Sequence, residues 1–146
     1  MVDVTQKTIT SRSAVAAGRV VTTVDVIELL RDGGLAKGDA LAVARIAGIM
    51  GAKRTPDLIP LCHPISLHGV VIELRLTSTT VEIQAVVRTA DRTGVEMEAL
   101  TAVTTAGLAM IDMIKAVDPS AGIEGVRVLR KEGGASGTWI RPEEQA

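Results

Sequence analysis

The chain has 146 residues, a length typical of one domain, and 47% of them are apolar. It contains one Trp and no Phe or Tyr, which excludes the aromatic sheet of RNA-binding domains, and its net charge of −1 gives no basic field for nucleic acid. The lone Cys62 excludes an internal disulfide and is typical of a reducing, cytoplasmic compartment. No stretch approaches the roughly 18 consecutive apolar residues of a membrane span, so no membrane contact is expected.

The first third of the chain predicts an arm, a strand and two helices. Residues 1–13 are polar and lack apolar periodicity, so we expect a flexible arm, with Arg12 at its end as a candidate for closing over a ligand. Residues 14–22 predict the first strand, and a short helix ended by two glycines follows it. A second, largely buried helix is expected to begin at Asp39 and to stop before Pro56, because a residue that precedes proline favours an extended conformation.

The remaining elements predict an antiparallel sheet. Two prolines four residues apart give a stiff, extended segment at 58–65. A hairpin follows at 67–77 and 81–87, and after it come a long apolar helix at 94–115, a last strand at 123–129 and a Gly-rich tail at 131–146. This order is the βαββαβ pattern of a ferredoxin-like α+β sandwich, with an extra helix in the first crossover. We therefore expect one domain over 1–146, with a four-stranded sheet covered by helices on one face.

The long helix carries a polar stripe. At 100° per residue, Asp112 and two threonines lie within about 60° of Glu98, and Lys115 lies within about 120°. Unpaired buried charge is costly, so such a stripe is either a solvated face or a functional site. The pattern alone leaves both interpretations open.

Other polar residues offer weaker signals. Two His residues and one Cys lack the spacing of a structural zinc site, so no protein-bound metal is expected. Magnesium carried on the phosphates of a substrate stays an alternative. Neighbouring side chains of an extended chain point to opposite sides, so His63 does not activate Cys62, which is expected to be inert. His63 is either a core histidine or a positioned ligand contact. The tail segment KEGGASG, which begins at Lys131, is either a flexible tail or a phosphate-binding loop.

Several blocks of the sequence resemble the MoaC family, the cyclic pyranopterin monophosphate synthases of molybdenum cofactor biosynthesis. MVDVTQK at the start and KEGGASG near the end fit this resemblance, which covers almost the whole chain. The longest blocks are KGDALAVARIAGI at 37–49, AKRTPDLIPLCHP at 52–64, GVEMEALTA at 94–102 and IDMIKAVD at 111–118.

The resemblance implies a fold, an assembly and a reaction. The family has the ferredoxin-like fold and forms a homohexamer, a trimer of dimers. Its members are lyases that convert 3',8-cyclo-7,8-dihydro-GTP to cyclic pyranopterin monophosphate and release pyrophosphate. Such a conversion moves protons without a redox change, so acid–base groups and cations suffice and no cofactor is expected.

The resemblance also implies site residues. The family's catalytic aspartate and lysines fall on Asp112, Lys115 and Lys37. Ala135 departs from the lysine that many relatives carry in the tail. With Lys131 of the tail added, the expected substrate-binding residues are Leu61, Cys62, His63, Glu96, Met97, Glu98, Arg12 and Lys131.

These residues lie far apart in the sequence. We therefore expect the site at a subunit interface, with Lys37 or Arg12 as candidates for crossing from a neighbouring subunit. Two alternatives to an enzyme are a regulatory module that senses a nucleotide and a purely structural hexamer.

Overall fold

A computed structural model describes residues 1–142, and the end of the predicted tail, 143–146, lies outside the described residues. Five strands and four helices follow one another along this part of the chain. In chain order they are β1 (Thr10–Val21), α1 (Val24–Asp32), α2 (Ala40–Lys53), α3 (Thr55–Leu58), β2 (Gly69–Leu76), β3 (Thr80–Asp91), α4 (Glu96–Ile114), β4 (Gly122–Glu132) and β5 (Trp139–Ile140).

The strands form one antiparallel sheet in the order β2-β3-β1-β4-β5. The ferredoxin-like α+β prediction is thereby confirmed, and the two-residue strand β5 adds an edge that the sequence did not predict. Strand β1 begins at Thr10, although residues 1–13 were expected to be a flexible arm. Residues 10–13 pair with the end of β3, from Thr10 opposite Asp91 to Ser13 opposite Arg88, so their polar side chains belong to the sheet.

Helices α2 and α4 pack on one face of the sheet and against each other. Their contact depends on small residues, because a Cβ built on Gly51 would lie only 2.0 Å from Oγ1 of Thr105. A Cβ on Gly48 would lie 3.0 Å from the carbonyl oxygen of Ala102. We call this contact the α2–α4 seam. A core without Phe or Tyr fills its space by such close backbone approach.

The segment around Pro56 differs from the prediction. The chain does leave α2 after Lys53, but Thr55 and Pro56 then start the short helix α3 instead of an extended segment. Proline is tolerated there because the first turn of a helix does not need its N–H group.

Helix α4 is long and apolar enough, by length and composition, to cross a membrane, and 56% of the window concerned is buried within the fold. It packs on α2, β1, β3 and β4. Its apolar character is therefore that of a core helix.

The α2–α4 seam can be tested with a single methyl group. Gly51→Ala places a Cβ where the side chain of Thr105 lies, and such overpacking costs about 1–3 kcal/mol of unfolding free energy. Gly122→Ala is the matched control, because a Cβ there meets nothing within 4 Å. Urea denaturation of both variants measures the difference, and equal midpoints would contradict the described seam.

Candidate active site

The predicted polar stripe of α4 is divided by the α2–α4 seam. In its middle, the hydroxyl groups of Thr101 and Thr105 donate to the carbonyl oxygens of Met97 and Thr101, at 2.8 and 2.7 Å. Threonine hydroxyls that bond four residues back satisfy themselves within the helix. This part of the stripe is therefore neither a solvated face nor a site, and only its two ends carry groups available for chemistry.

The C-terminal end of α4 carries an acid–amine cluster, which consists of Lys37, Asp112 and Lys115. Nζ of Lys115 donates to Oδ1 of Asp112 at 2.6 Å, and Nζ of Lys37 donates to Oδ2 at 3.0 Å. Lys37 also donates to the backbone carbonyl oxygen of Asp112 at 2.7 Å, which fixes the loop between α1 and α2 against α4. Both lysines thus meet the aspartate of their own chain, whereas Lys37 was a candidate for crossing from a neighbour.

The electrostatics of this cluster follow from its hydrogen bonds. The hydrogen bond that Lys115 donates, and the weaker effect of the one that Lys37 donates, lower the pKa of the Asp112 carboxyl to about 2. Asp112 is consequently a carboxylate at neutral pH, and it orients two amines rather than serving as an acid. The three side chains are 43–57% exposed in the single chain, so that the cluster faces outward.

The N-terminal end of α4 borders a different cavity, of about 510 Å³, which we call the His63 cavity. It lies between the start of the chain and the loop that follows α3. Nε2 of His63 donates to the carbonyl oxygen of Val2 at 2.7 Å, so this histidine faces the N-terminal segment and is not a core residue. The lining residues are Met1, Val2, Val4, Lys7, Leu61, Cys62, His63, Thr93 and Glu98.

Glu98 is the unusual group of this cavity. Its side chain is almost fully buried, with 3% exposure, and its Oε2 has no hydrogen-bond partner among the described residues. Burial raises the pKa of the Glu98 carboxyl. The pKa of the Cys62 thiol is raised mainly by burial and, to a smaller extent, by the charge of Glu98. A buried carboxyl oxygen without a partner is suited to a ligand that brings its own donor, whereas Cys62 stays a thiol.

A third polar region adjoins the sheet edge near the tail. A cavity of about 580 Å³ is lined there by Lys7, Thr8, Thr10, Arg12, Gly134, Ala135 and Ser136. We call it the tail cavity. Nε of Arg12 donates to the carbonyl oxygen of Asp91 at 3.1 Å, and the amine of Lys131 donates to the hydroxyl of Ser136. Arg12 and Lys131, predicted to bind substrate, are thus held close to the Gly-rich loop.

Lys7 is a site candidate that the sequence analysis missed. It lines both the His63 cavity and the tail cavity, and its carbonyl oxygen accepts a bond from Nε of Arg92 at 3.1 Å. The signal was present, because Lys7 is the one cation of the MVDVTQK block, but the arm was expected to be flexible.

Not every predicted residue lies at these cavities. Glu96 and Met97 occupy the first turn of α4, beside Glu98, without lining the His63 cavity. Asp112 follows Glu98 by fourteen residues, which at 1.5 Å per residue is about 21 Å along the helix. A single chain therefore does not bring the acid–amine cluster to the His63 cavity. Within residues 1–142, no three His, Cys, Asp or Glu side chains are grouped to hold a metal ion.

The fold and these clusters define a ferredoxin-like α+β domain with cationic and acidic groups at both ends of its central helix. A profile described as the MoaC family matches residues 1–134. A cyclic pyranopterin monophosphate synthase of Streptomyces coelicolor is 63% identical over 97% of this chain and 83% of its own length. The cyclic pyranopterin monophosphate synthase 2 of Mycobacterium tuberculosis is 60% identical over 97% and 84%, and the synthase of a Nocardioides species is 57% identical over 97% and 89%. The chain belongs to the MoaC family.

The acid–amine cluster predicts a measurable pKa. Because the pKa of Asp112 lies at about 2 rather than 3.8, the stabilisation by its ion pairs is present above pH 3.8 and is lost as the pH falls towards 2. Lys115→Met removes the largest cause and should raise the pKa of Asp112 towards 3.8, as read from carbon-13 NMR of the carboxyl group. Lys53→Met, at the end of α2, is the control and should leave it unchanged. An Asp112 that titrates alike in all three proteins would contradict the described contacts.

Proposed function

We propose that this chain is a cyclic pyranopterin monophosphate synthase of molybdenum cofactor biosynthesis. It acts on 3',8-cyclo-7,8-dihydro-GTP and releases pyrophosphate. Relatives of 57–64% identity carry the synthase name. The observation that carries the chemistry is the acid–amine cluster, in which one ionised carboxylate holds two amines within 3.0 Å.

The cluster suits the proton transfers of this conversion. The substrate's purine-derived ring opens and a pterin is rebuilt, and each stage moves protons between nitrogen, oxygen and a base. In the closing step, a hydroxyl oxygen of the substrate attacks the α-phosphorus, the bond to the pyrophosphate oxygen breaks, and the hydroxyl proton passes to a base. Lys37 and Lys115 are the proton-transfer groups, and Asp112 orients both of them.

The other predicted residues, together with Lys7, bind the substrate. His63, Glu98 and the loop at Leu61 and Cys62 surround a cavity of about 510 Å³, a size that suits a purine-derived base. Lys7, Arg12 and Lys131 bring cations to the tail cavity, where they suit a phosphate chain. Glu96 and Met97 extend the base side of the site. No cofactor is needed, and any magnesium ion is carried by the substrate phosphates.

A complete site requires a second copy of the chain. In the proposed dimer, a two-fold axis across the middle of α4 brings the acid–amine cluster of one chain towards the His63 cavity of its partner and repeats the contact symmetrically. Apolar residues on the helices support burial between copies, because those at 43, 46, 50 and 108 are 42–58% exposed. We propose the homohexamer, a trimer of dimers, as the active cytoplasmic form, without nucleic acid or membrane partners.

The activity itself is tested by pyrophosphate release from the cyclised GTP derivative. Lys115→Ala should lower kcat by about 10²–10⁴-fold, because it removes a proton-transfer group. Lys53→Ala removes an equal charge from the end of α2 and should retain the wild-type rate. Near-normal turnover by Lys115→Ala would overturn its role, and substrate binding without turnover by the wild-type chain would support a nucleotide-sensing module instead.

The shared site is tested by mixing two inactive variants and letting their subunits exchange. Lys115→Ala spoils the acid–amine cluster and His63→Ala spoils the cavity, so a mixed dimer keeps one intact site of two. Random mixing then restores about a quarter of the wild-type activity.

The control for this experiment mixes Lys37→Ala with Lys115→Ala. Both changes lie in the same cluster, so no mixed dimer has an intact site and no activity should return. Failure of the first mixture, despite proven exchange of subunits, would place the whole site within one chain.

A further inference from the structure

The tail forms a hairpin, and its turn is the Gly-rich loop. Strands β4 and β5 pair through Arg130 with Ile140 and Lys131 with Trp139. Three glycines in the connecting loop, at 133, 134 and 137, have left-handed φ values of 91°, 75° and 62°. Successive backbone N–H groups of a turn form concavities that bind anions, and the pairing of β4 with β5 fixes the two ends of this loop.

This loop packs tightly on the strand that carries Arg12. A Cβ built on Gly133 would lie 2.3 Å from the carbonyl oxygen of Ser11, and one on Gly134 would lie 2.5 Å from a guanidinium nitrogen of Arg12. The loop therefore forms the wall of the tail cavity that faces Arg12 and Lys7. A small shift of the hairpin would change the distance between these cations and the loop.

The hairpin has few ladder bonds, because β5 contains only two residues. Arg141 supplies further contacts. Its backbone N–H donates to the carbonyl oxygen of Leu129 at 2.8 Å, and its Nε donates to that of Val128 at 2.6 Å. Its guanidinium carbon lies 5.5 Å from the ring centroid of Trp139, within the range of a cation–π contact.

Trp139 lies next to Lys131 in the sheet. Residues directly opposite each other on paired strands point to the same face, with Cβ atoms about 4.5–5.5 Å apart. Trp139 is paired with Lys131, and Lys131 is paired with Ala14 of β1, so these three side chains share the helix-covered face. The amine of Lys131 donates to the hydroxyl of Ser136 in the loop.

We propose that Trp139 and Arg141 are positioning residues for the substrate's phosphate chain. Their stacked pair holds the hairpin in register and so places Lys131 and the loop N–H groups opposite Arg12 and Lys7. The inference rests on the proposed function for the identity of the anion, a pyrophosphate unit within a nucleoside triphosphate derivative.

The pair has little part in the core. Trp139 is 39% exposed, Arg141 is half-buried, and neither residue belongs to the cluster of buried hydrophobic residues. Loss of the stack therefore leaves the buried residues covered, and its effect should be on anion binding rather than on global folding. This distinction allows the role to be measured in a folded protein.

Inorganic pyrophosphate is the probe, and Trp139 is the reporter, because it is the chain's single Trp. Arg141→Ala should weaken pyrophosphate binding about fivefold, the factor that corresponds to a contact of about 1 kcal/mol. Arg127→Ala is the matched control, because Arg127 lies on β4 and its guanidinium donates to the carbonyl oxygen of Gly125. Arg127→Ala removes the same charge outside the paired residues of β4 and β5, so the affinity of this variant for pyrophosphate should match that of the wild type.

Further readouts separate positioning from folding. Arg141→Ala should raise KM for the substrate about fivefold with kcat within about twofold of the wild type. By calorimetry with pyrophosphate, Trp139→Phe should retain most of the affinity that Trp139→Ala loses, since a Phe ring also accepts the cation. Equal affinities of Arg141→Ala and Arg127→Ala would overturn the proposal, and so would a wild-type chain that does not bind pyrophosphate.

The proposed function can fail separately. If pyrophosphate binding depends on Arg141 but the cyclised substrate is not turned over, the positioning role stands and the reaction is wrong. If turnover is normal and Arg141→Ala behaves as Arg127→Ala does, the reaction stands and the positioning role is wrong.

Discussion

The close contact of α2 with α4 is the constraint on which the rest of the structure depends. Glycines on α2 leave room for the side chain of Thr105 and for the backbone at Ala102, so the two helices approach each other closely. Lys37 precedes α2, and Asp112 lies in the last turn of α4. The same contact that closes a core of small residues therefore sets the distance between an amine and a carboxylate at the protein surface.

The two ends of α4 differ in their electrostatic environment. At one end, two exposed amines keep Asp112 ionised, and its charge is balanced before any ligand arrives. At the other end, burial disfavours the charge of Glu98 and leaves one of its oxygens unpaired. The first arrangement suits proton transfer by groups already in place. The second suits recognition, because a ligand donor gains most where the protein offers no alternative partner.

The order of the longer elements and the polar ends of α4 could be predicted because they depend on local periodicity and on short motifs. The role of the middle of the polar stripe could not be predicted, because a helical wheel gives the direction of the Thr105 side chain but not the hydrogen bond of its hydroxyl within the helix. The arm was misjudged for a related reason. Residues 10–13 show no apolar pattern, and their order comes from pairing with β3, nearly eighty residues further along the chain. Lys7 was missed because its contact, with Arg92, is also between residues far apart in the sequence.

The α2–α4 seam also limits how the sequence of this chain can diverge. Position 51 has no spare volume, so a larger residue is tolerated there only if position 105 loses its side chain in the same lineage. Each change alone is harmful, because one leaves a clash and the other a void. The two positions are consequently expected to vary as a pair across descendants, and a variant library that changes one position at a time will find that each change lowers stability.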